Sequence, residues 1–170
     1  MSRSGDPRTS GDVSMFAASR KPLERLAVVT LRMSTNTMAD IRALTTEAHD
    51  HAQREAFTDA LAHAHGSGVF EMSTCNRVVY AGLCDEVAQL KTAVETASGV
   101  ALSEVVAFTA DEAWEHLVMV ASGLDAFVLG ELQVLGQVRS AIEHHRQSAH
   151  ADAELLGVLE HVVWASRLVR

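Results

Sequence analysis

The hydrophobic pattern changes period several times along the chain. Leu26 to Leu31 reads LAVVTL, a short β-branched apolar run that predicts a buried strand. From Met38 to His65 the apolar positions Ile41, Leu44, Ala48, Ala52, Phe57, Leu61 and Ala64 follow helical spacing, and Gly66 and Gly68 close that helix. Val69–Ser73 and Val78–Leu83 are two further strands. The four residues between them, Thr74 to Arg77, are too few for a crossover, so the two strands are antiparallel neighbours. Val87, Leu90, Val94 and Ala97 mark one face of a helix that stops at Gly99. Glu104–Thr109 is a fourth strand. Thr109 and Glu112 have capping-box spacing, which starts a helix through Ser122 with Trp114, Leu117, Val118 and Ala121 inward. After Gly123-Leu124-Asp125, helical patterns cover 131–148 and 152–170, the second with Leu155, Leu159, Val162, Val163 and Ser166 on one side. The order β-α-β-β-α-β followed by helices predicts an α+β fold, a ferredoxin-like sandwich with a C-terminal helical extension.

Composition narrows the setting. The chain has 170 residues, 48% apolar and 21% charged, ordinary values for one globular body. No run of 18 apolar residues offers a membrane span, and no apolar segment suits a signal peptide. The only prolines are Pro7 and Pro22, and residues 1–22 show little periodicity, so they read as a flexible tail. That tail carries four cations against two carboxylates. With a formal charge of −8 overall, the remaining 148 residues therefore carry −10. Such a body gives little counterion-release affinity for a polyanion. Two cysteines are too few for a disulfide framework and suit a reducing, cytoplasmic compartment.

Three places hold candidate chemistry. Cys75 lies in a polar link between two apolar strands, with the hydroxyl, amide and guanidinium groups of Thr74, Asn76 and Arg77 beside it. Nearby positive charge favours a thiolate, the nucleophilic form. The alternative is a small packed hydrophobe, the reading that suits Cys84 at the end of its strand. His116 lies about 200° round its helix from Trp114, with Met119 and Val120 flanking it. A histidine in such a setting is a neutral donor or a general base, or else a surface residue. Glu131, Gln133 and Gln137 gather two amides and a carboxylate at a helix start. They suit a small polar substrate carrying an amine and a carboxylate, or simply face solvent. The histidine pairs 49/51, 63/65 and 144/145 lack zinc spacing, and no GxGxxG or GxxxxGK[ST] loop is present.

These residues also carry a resemblance. Ser73-Thr74-Cys75-Asn76-Arg77 matches the S-T-C-N-R signature of glutamyl-tRNA reductases. His116 to Asp125, HLVMVASGLD, resembles that family's H-L-x-x-V-A-x-G-L-D, and Val128 to Val138, VLGELQVLGQV, resembles its V-L-G-E-x-Q-I-L-G-Q-V. The resemblance implies an N-terminal catalytic domain over residues 23–150. Residues 151–170 then begin a helix leading toward an NADPH-binding domain that this chain lacks. It implies Cys75 as the nucleophile on the ester of glutamyl-tRNA, with a thioester that NADPH reduces to glutamate-1-semialdehyde for tetrapyrrole synthesis. His116 would support activity, and Thr74, Asn76, Arg77, Glu131, Gln133 and Gln137 would touch substrate. No metal is implied. Dimerisation would need the family's C-terminal domain, and the aminomutase that uses the semialdehyde would be a partner.

Three departures stand out. Val79 replaces the family's Glu two residues after the Arg, Ala126 replaces its Ser, and Leu31 to Met38 reads LRMSTNTM where the family has S-H-K-T-A-P. Losing a carboxylate and a hydroxyl from a glutamate pocket leaves two alternatives open: a non-catalytic relative that binds or regulates, and a free-standing cysteine hydrolase of small esters.

Overall fold

The computed structural model describes residues 21–32, 36, 38–125 and 132–169. Four strands, β1 (Leu26–Arg32), β2 (Phe70–Thr74), β3 (Arg77–Leu83) and β4 (Val106–Thr109), form one sheet in the order β2-β3-β1-β4. Its pairs β2–β3, β3–β1 and β1–β4 are all antiparallel. This is the α+β arrangement that the element order implies. The helices are α1 (Met38–Leu44), α2 (His51–His65), α3 (Val87–Ser98), α4 (Ala110–Ser122), α5 (Leu132–Gln147) and α6 (Ala153–Ser166). A 3-10 turn at Pro22–Arg25 leads into β1, where the hydrophobic pattern put the end of a tail; the tail's first twenty residues lie outside the described ones.

The sheet is covered on both faces, which is why β1 reads as an unbroken apolar run. Val28, Ala81 and Met72 face α4, α5 and α6, where Leu117, Ile142 and Leu159 complete one core. Val29, Val78 and Tyr80 face the other way onto Ile41, Leu61 and Leu90 of α1, α2 and α3. The alternation is the period of two expected of a strand buried on both sides.

Two local expectations are corrected. The helix expected over Met38–His65 is two helices. Thr45 Oγ1 accepts the Glu47 N–H at 3.2 Å, and Asp50 begins α2 with a reciprocal capping box to Gln53. Such side-chain bonds to backbone compete with helix continuation, and Asp50-x-x-Gln53 is the signal that marks the restart. The Thr109–Glu112 capping box does not form: Thr109 makes no side-chain cap bond, and Ala110 sits at φ 50°. A left-handed first residue turns the N-cap side chain off the helix's leading N–H groups. The fourth strand begins at Val106 rather than Glu104. Gly66, at φ 88°, ends α2. Gly68 matters for space instead. A Cβ there would lie 2.0 Å from the His150 carbonyl oxygen, so the residue lets two backbones meet.

Candidate active site

The link between β2 and β3 is a two-residue turn, Cys75-Asn76, closed by the pair Thr74↔Arg77. Neither turn residue has a positive φ, so this is not the primed turn that best fits strand twist. Thr74 holds it instead. Its Oγ1 accepts the Asn76 N–H at 3.3 Å and donates to the Arg77 carbonyl at 3.3 Å. Cys75 is thereby presented to solvent at the sheet edge, whereas Cys84 is buried and its thiol pKa is pushed up by desolvation.

Arg77 does not point its charge at the turn. Its guanidinium donates to the Asp125 backbone carbonyl and lies 3.0 Å from the Asp125 carboxylate. The same carboxylate holds Arg32 at 2.7 Å. The register explains the need. Arg32 and Arg77 are directly opposite on β1 and β3, where like charges repel. Asp125 is brought there by the end of α4. Gly123 at φ 76° reverses the chain, and the Leu124 and Asp125 N–H groups return to the Met119 carbonyl at 3.1 and 3.3 Å.

The same helix supplies His116. Its ring stacks on Phe108 of β4, with centroids 4.4 Å apart and an interplanar angle of 18°. Nε2 is buried without a hydrogen-bond partner among the described residues. Burial lowers the imidazole pKa from 6.5 to about 4; Asp125 opposes the shift, and Arg77 and Arg32 reinforce it. His116 is therefore neutral at pH 7, able to take a proton or donate one hydrogen bond.

The expected amide and carboxylate group is not brought into this cluster. Glu131 and Ala126 lie outside the described residues, and Gln133 is exposed on α5. Gln137 lines a cavity of about 150 Å³ whose walls include Thr46, Arg54, Glu71, Ser73 and His144 but none of Arg77, Asp125 or His116. There Glu71 is mostly buried; desolvation raises its pKa, while hydrogen bonds from Ser73 and Thr46 (Thr46 at 2.9 Å) pull the other way. Val79 is fully buried in the core under α4, α5 and α6. A larger apolar groove of about 730 Å³, lined by Leu23, Trp114 and His161, includes no residue of either cluster. Among the described residues, no three His, Cys, Asp or Glu side chains are grouped to hold a metal.

Sequence reasoning missed Arg32, Asp125 and Glu71. Arg32 directly follows the apolar run Leu26–Leu31, and only the β1–β3 register reveals its neighbour. Asp125 stood in a quoted motif without a role. Glu71, between the buried Phe70 and Met72, had the alternation of a residue facing solvent.

Comparison with known proteins puts the fold and motifs in context. The family model "Glutamyl-tRNAGlu reductase, N-terminal domain" matches residues 29–170. Glutamyl-tRNA reductase from Carboxydothermus hydrogenoformans is 36% identical over 130 residues, covering 71% of this chain and 29% of that protein. Glutamyl-tRNA reductase 2 from Anaeromyxobacter sp. is 36% identical over 153 residues, covering 85% of this chain and 34% of its own length. The chain thus spans about a third or less of these relatives. The solved structure of glutamyl-tRNA reductase from Methanopyrus kandleri matches with a TM-score of 0.69 at 20% identity, over 86% of this chain and 34% of that one.

Proposed function

Because the chain belongs to the glutamyl-tRNA reductase family through its N-terminal domain, we propose that it carries the acyl-transfer half of that enzyme's reaction. The observation that carries the reading is the placement of Cys75. It sits solvent-exposed on the two-residue turn that Thr74↔Arg77 closes, while the chain's other thiol is buried. Cys75 Sγ attacks the carbonyl carbon of the ester joining glutamate to tRNA. A C–S bond forms, the C–O bond to the ribose breaks, and the thiol proton ends on the departing ribose oxygen. His116, neutral at pH 7, takes that proton from the thiol and returns it to the ribose. Thr74, Asn76 and Arg77 form the rim that the glutamyl group meets. The family's pattern also assigns Glu131, Gln133 and Gln137 to the glutamyl group; of the two that are described, Gln133 is exposed and Gln137 lines the separate cavity beside Glu71.

Reduction of the thioester to glutamate-1-semialdehyde, the tetrapyrrole precursor, requires a hydride, which NADPH supplies when bound. The given sequence has no glycine-rich phosphate loop to cradle it, so the residues present do not fit that cofactor. Capture of tRNA by this acidic chain alone is weak, so the assay uses excess substrate.

The test follows loss of label from radiolabelled glutamyl-tRNA mixed with the chain. Wild type accelerates discharge over the spontaneous rate, Cys75→Ser does not, and His116→Asn slows it with little change in unfolding midpoint. Discharge by Cys75→Ser at the wild-type rate would overturn the reading. A second reading, a non-catalytic relative that binds or regulates, is favoured by the commitment of Arg77 to Asp125 and by the buried Val79. It predicts no discharge by any variant.

A further inference from the structure

We propose that the apolar groove between α4 and α6 is a docking site for a basic amphipathic helix of a partner protein, one whose apolar stripe is flanked by Lys or Arg. The floor of the groove is built for close approach. Its volume is about 730 Å³, and it opens between Trp114 of α4, Leu23 of the 3-10 turn, and Ala153, Gly157, Val158 and His161 of α6. Ala153, Gly157 and His161 are successive i,i+4 positions, so they form one row along α6, about 12 Å or two turns long. A Cβ on Gly157 would meet nothing within 4 Å, which leaves the α6 backbone open to the groove. Small residues at such a contact let a second helix axis come within about 8 Å.

The walls are aromatic. Trp114 stacks on His161 with centroids 5.5 Å apart, and His161 stacks on Trp164 at 5.4 Å. The row ends on Trp164 with 56% of its surface in water, a large aromatic face that gains from burial against aliphatic side chains. Trp114 and His116 lie on different sides of α4, and neither Cys75 nor His116 lines the groove, so an occupant leaves both uncovered.

Charge selects the occupant. Asp111 and Glu115, one turn apart on α4, line one bank, and Glu154 of α6 lines the other. Lys21 is the only Lys or Arg among the lining residues. Glu154 reaches Arg25 only at 3.7 Å, and neither Asp111 nor Glu115 has an ion-pair partner among the described residues. Acidic banks repel phosphates and anionic headgroups, and they complement cations set on both sides of a docked apolar stripe.

The experiment titrates the full chain with a tryptophan-free model helix of about 14 residues, built of Leu and Lys at helical spacing. Trp114 and Trp164 are the chain's two tryptophans, so its emission reports the groove. Wild type gives a saturable emission shift with this helix and binds a Leu/Glu helix of the same length at least about tenfold more weakly. Gly157→Leu fills open space without crowding the fold and weakens the Leu/Lys helix about tenfold. Gly136→Leu, on α5 with space as open but outside the groove, leaves binding within about twofold. Asp111→Asn with Glu115→Gln weakens binding about fivefold, and Glu86→Gln with Glu112→Gln, two acids that do not line the groove, stays within about twofold. Urea unfolding midpoints establish that each variant is folded. Equal binding of the two helices, equal effects of Gly157→Leu and Gly136→Leu, equal effects of the two acid pairs, or no saturable shift would each overturn the proposal. So would self-association of the chain in sedimentation that Gly157→Leu abolishes, because the occupant is then a second copy.

Discussion

Replacing Asp125 with Asn tests the charge cluster directly. The substitution keeps the backbone carbonyl that accepts from Arg77, and removes only the charge that two opposed arginines share. Removing one member of a buried ion pair costs about 3–5 kcal/mol, whereas exposed pairs contribute about 0–1 kcal/mol. Arg77 at 11% exposure belongs near the first range and Arg32 at 37% near the second. Asp125 itself, at 20%, is partly hydrated, so the expected loss is about 2–3 kcal/mol. In urea this lowers the midpoint by about 1–2 M without changing the slope. Adding Arg32→Gln to Asp125→Asn removes the repulsion between the two opposed arginines across β1 and β3 and restores about 1 kcal/mol. The same Arg32→Gln change in the wild-type background is destabilising, and the sign reversal is the signature of a shared carboxylate. Circular dichroism across urea titrations of the four proteins gives the cycle. A loss below about 0.5 kcal/mol for Asp125→Asn, or the same sign for Arg32→Gln in both backgrounds, would refute the reasoning.

Three other outcomes follow from the geometry. His116 has its pKa lowered from 6.5 to about 4, so between those values the unfolded chain binds the extra proton. Stability therefore falls as pH drops through that window, by about 2–3 kcal/mol, and His116→Phe removes this part of the slope in urea titrations across pH. Glu71 has a raised pKa, so its contribution is present at low pH and lost as pH rises through the folded value. Glu71→Gln, which keeps an acceptor for Thr46 and Ser73, stabilises the protein at pH 7, and the gain shrinks as pH falls and the native carboxyl becomes protonated. Ala110 adopts φ 50°, a left-handed conformation that costs an L-residue about 1–2 kcal/mol, so Ala110→Gly raises the calorimetric Tm by about 2–4 °C.

Legibility from sequence divided along a physical line. LAVVTL was legible as a buried strand because both faces of β1 are covered, and the two-residue link at Cys75-Asn76 forced β2 and β3 to be antiparallel. The helix ends at Gly66, Gly99 and Gly123 were legible because each needs a positive φ. The break after Leu44 was not legible from periodicity, because apolar spacing continues across it and the competing bonds of Thr45 and Asp50 are local. At the site, motif spacing singled out Cys75 and His116, both of which carry their identity in their neighbours. Arg32 and Asp125 carry theirs in a contact between residues 93 apart, created by strand register and a helix cap together. Glu71 was hidden by the pattern itself, since a polar residue alternating with Phe70 and Met72 on an edge strand reads as solvated.

The most direct measurement is the intact mass of the folded chain after brief mixing with excess glutamyl-tRNA and an acid quench, followed by peptide mapping. The account predicts one glutamyl adduct on wild type, carried on the peptide containing Cys75, released by hydroxylamine and absent from Cys75→Ser. An adduct on Cys84, an adduct that persists in Cys75→Ser, or no adduct on folded wild type at saturating substrate would contradict it.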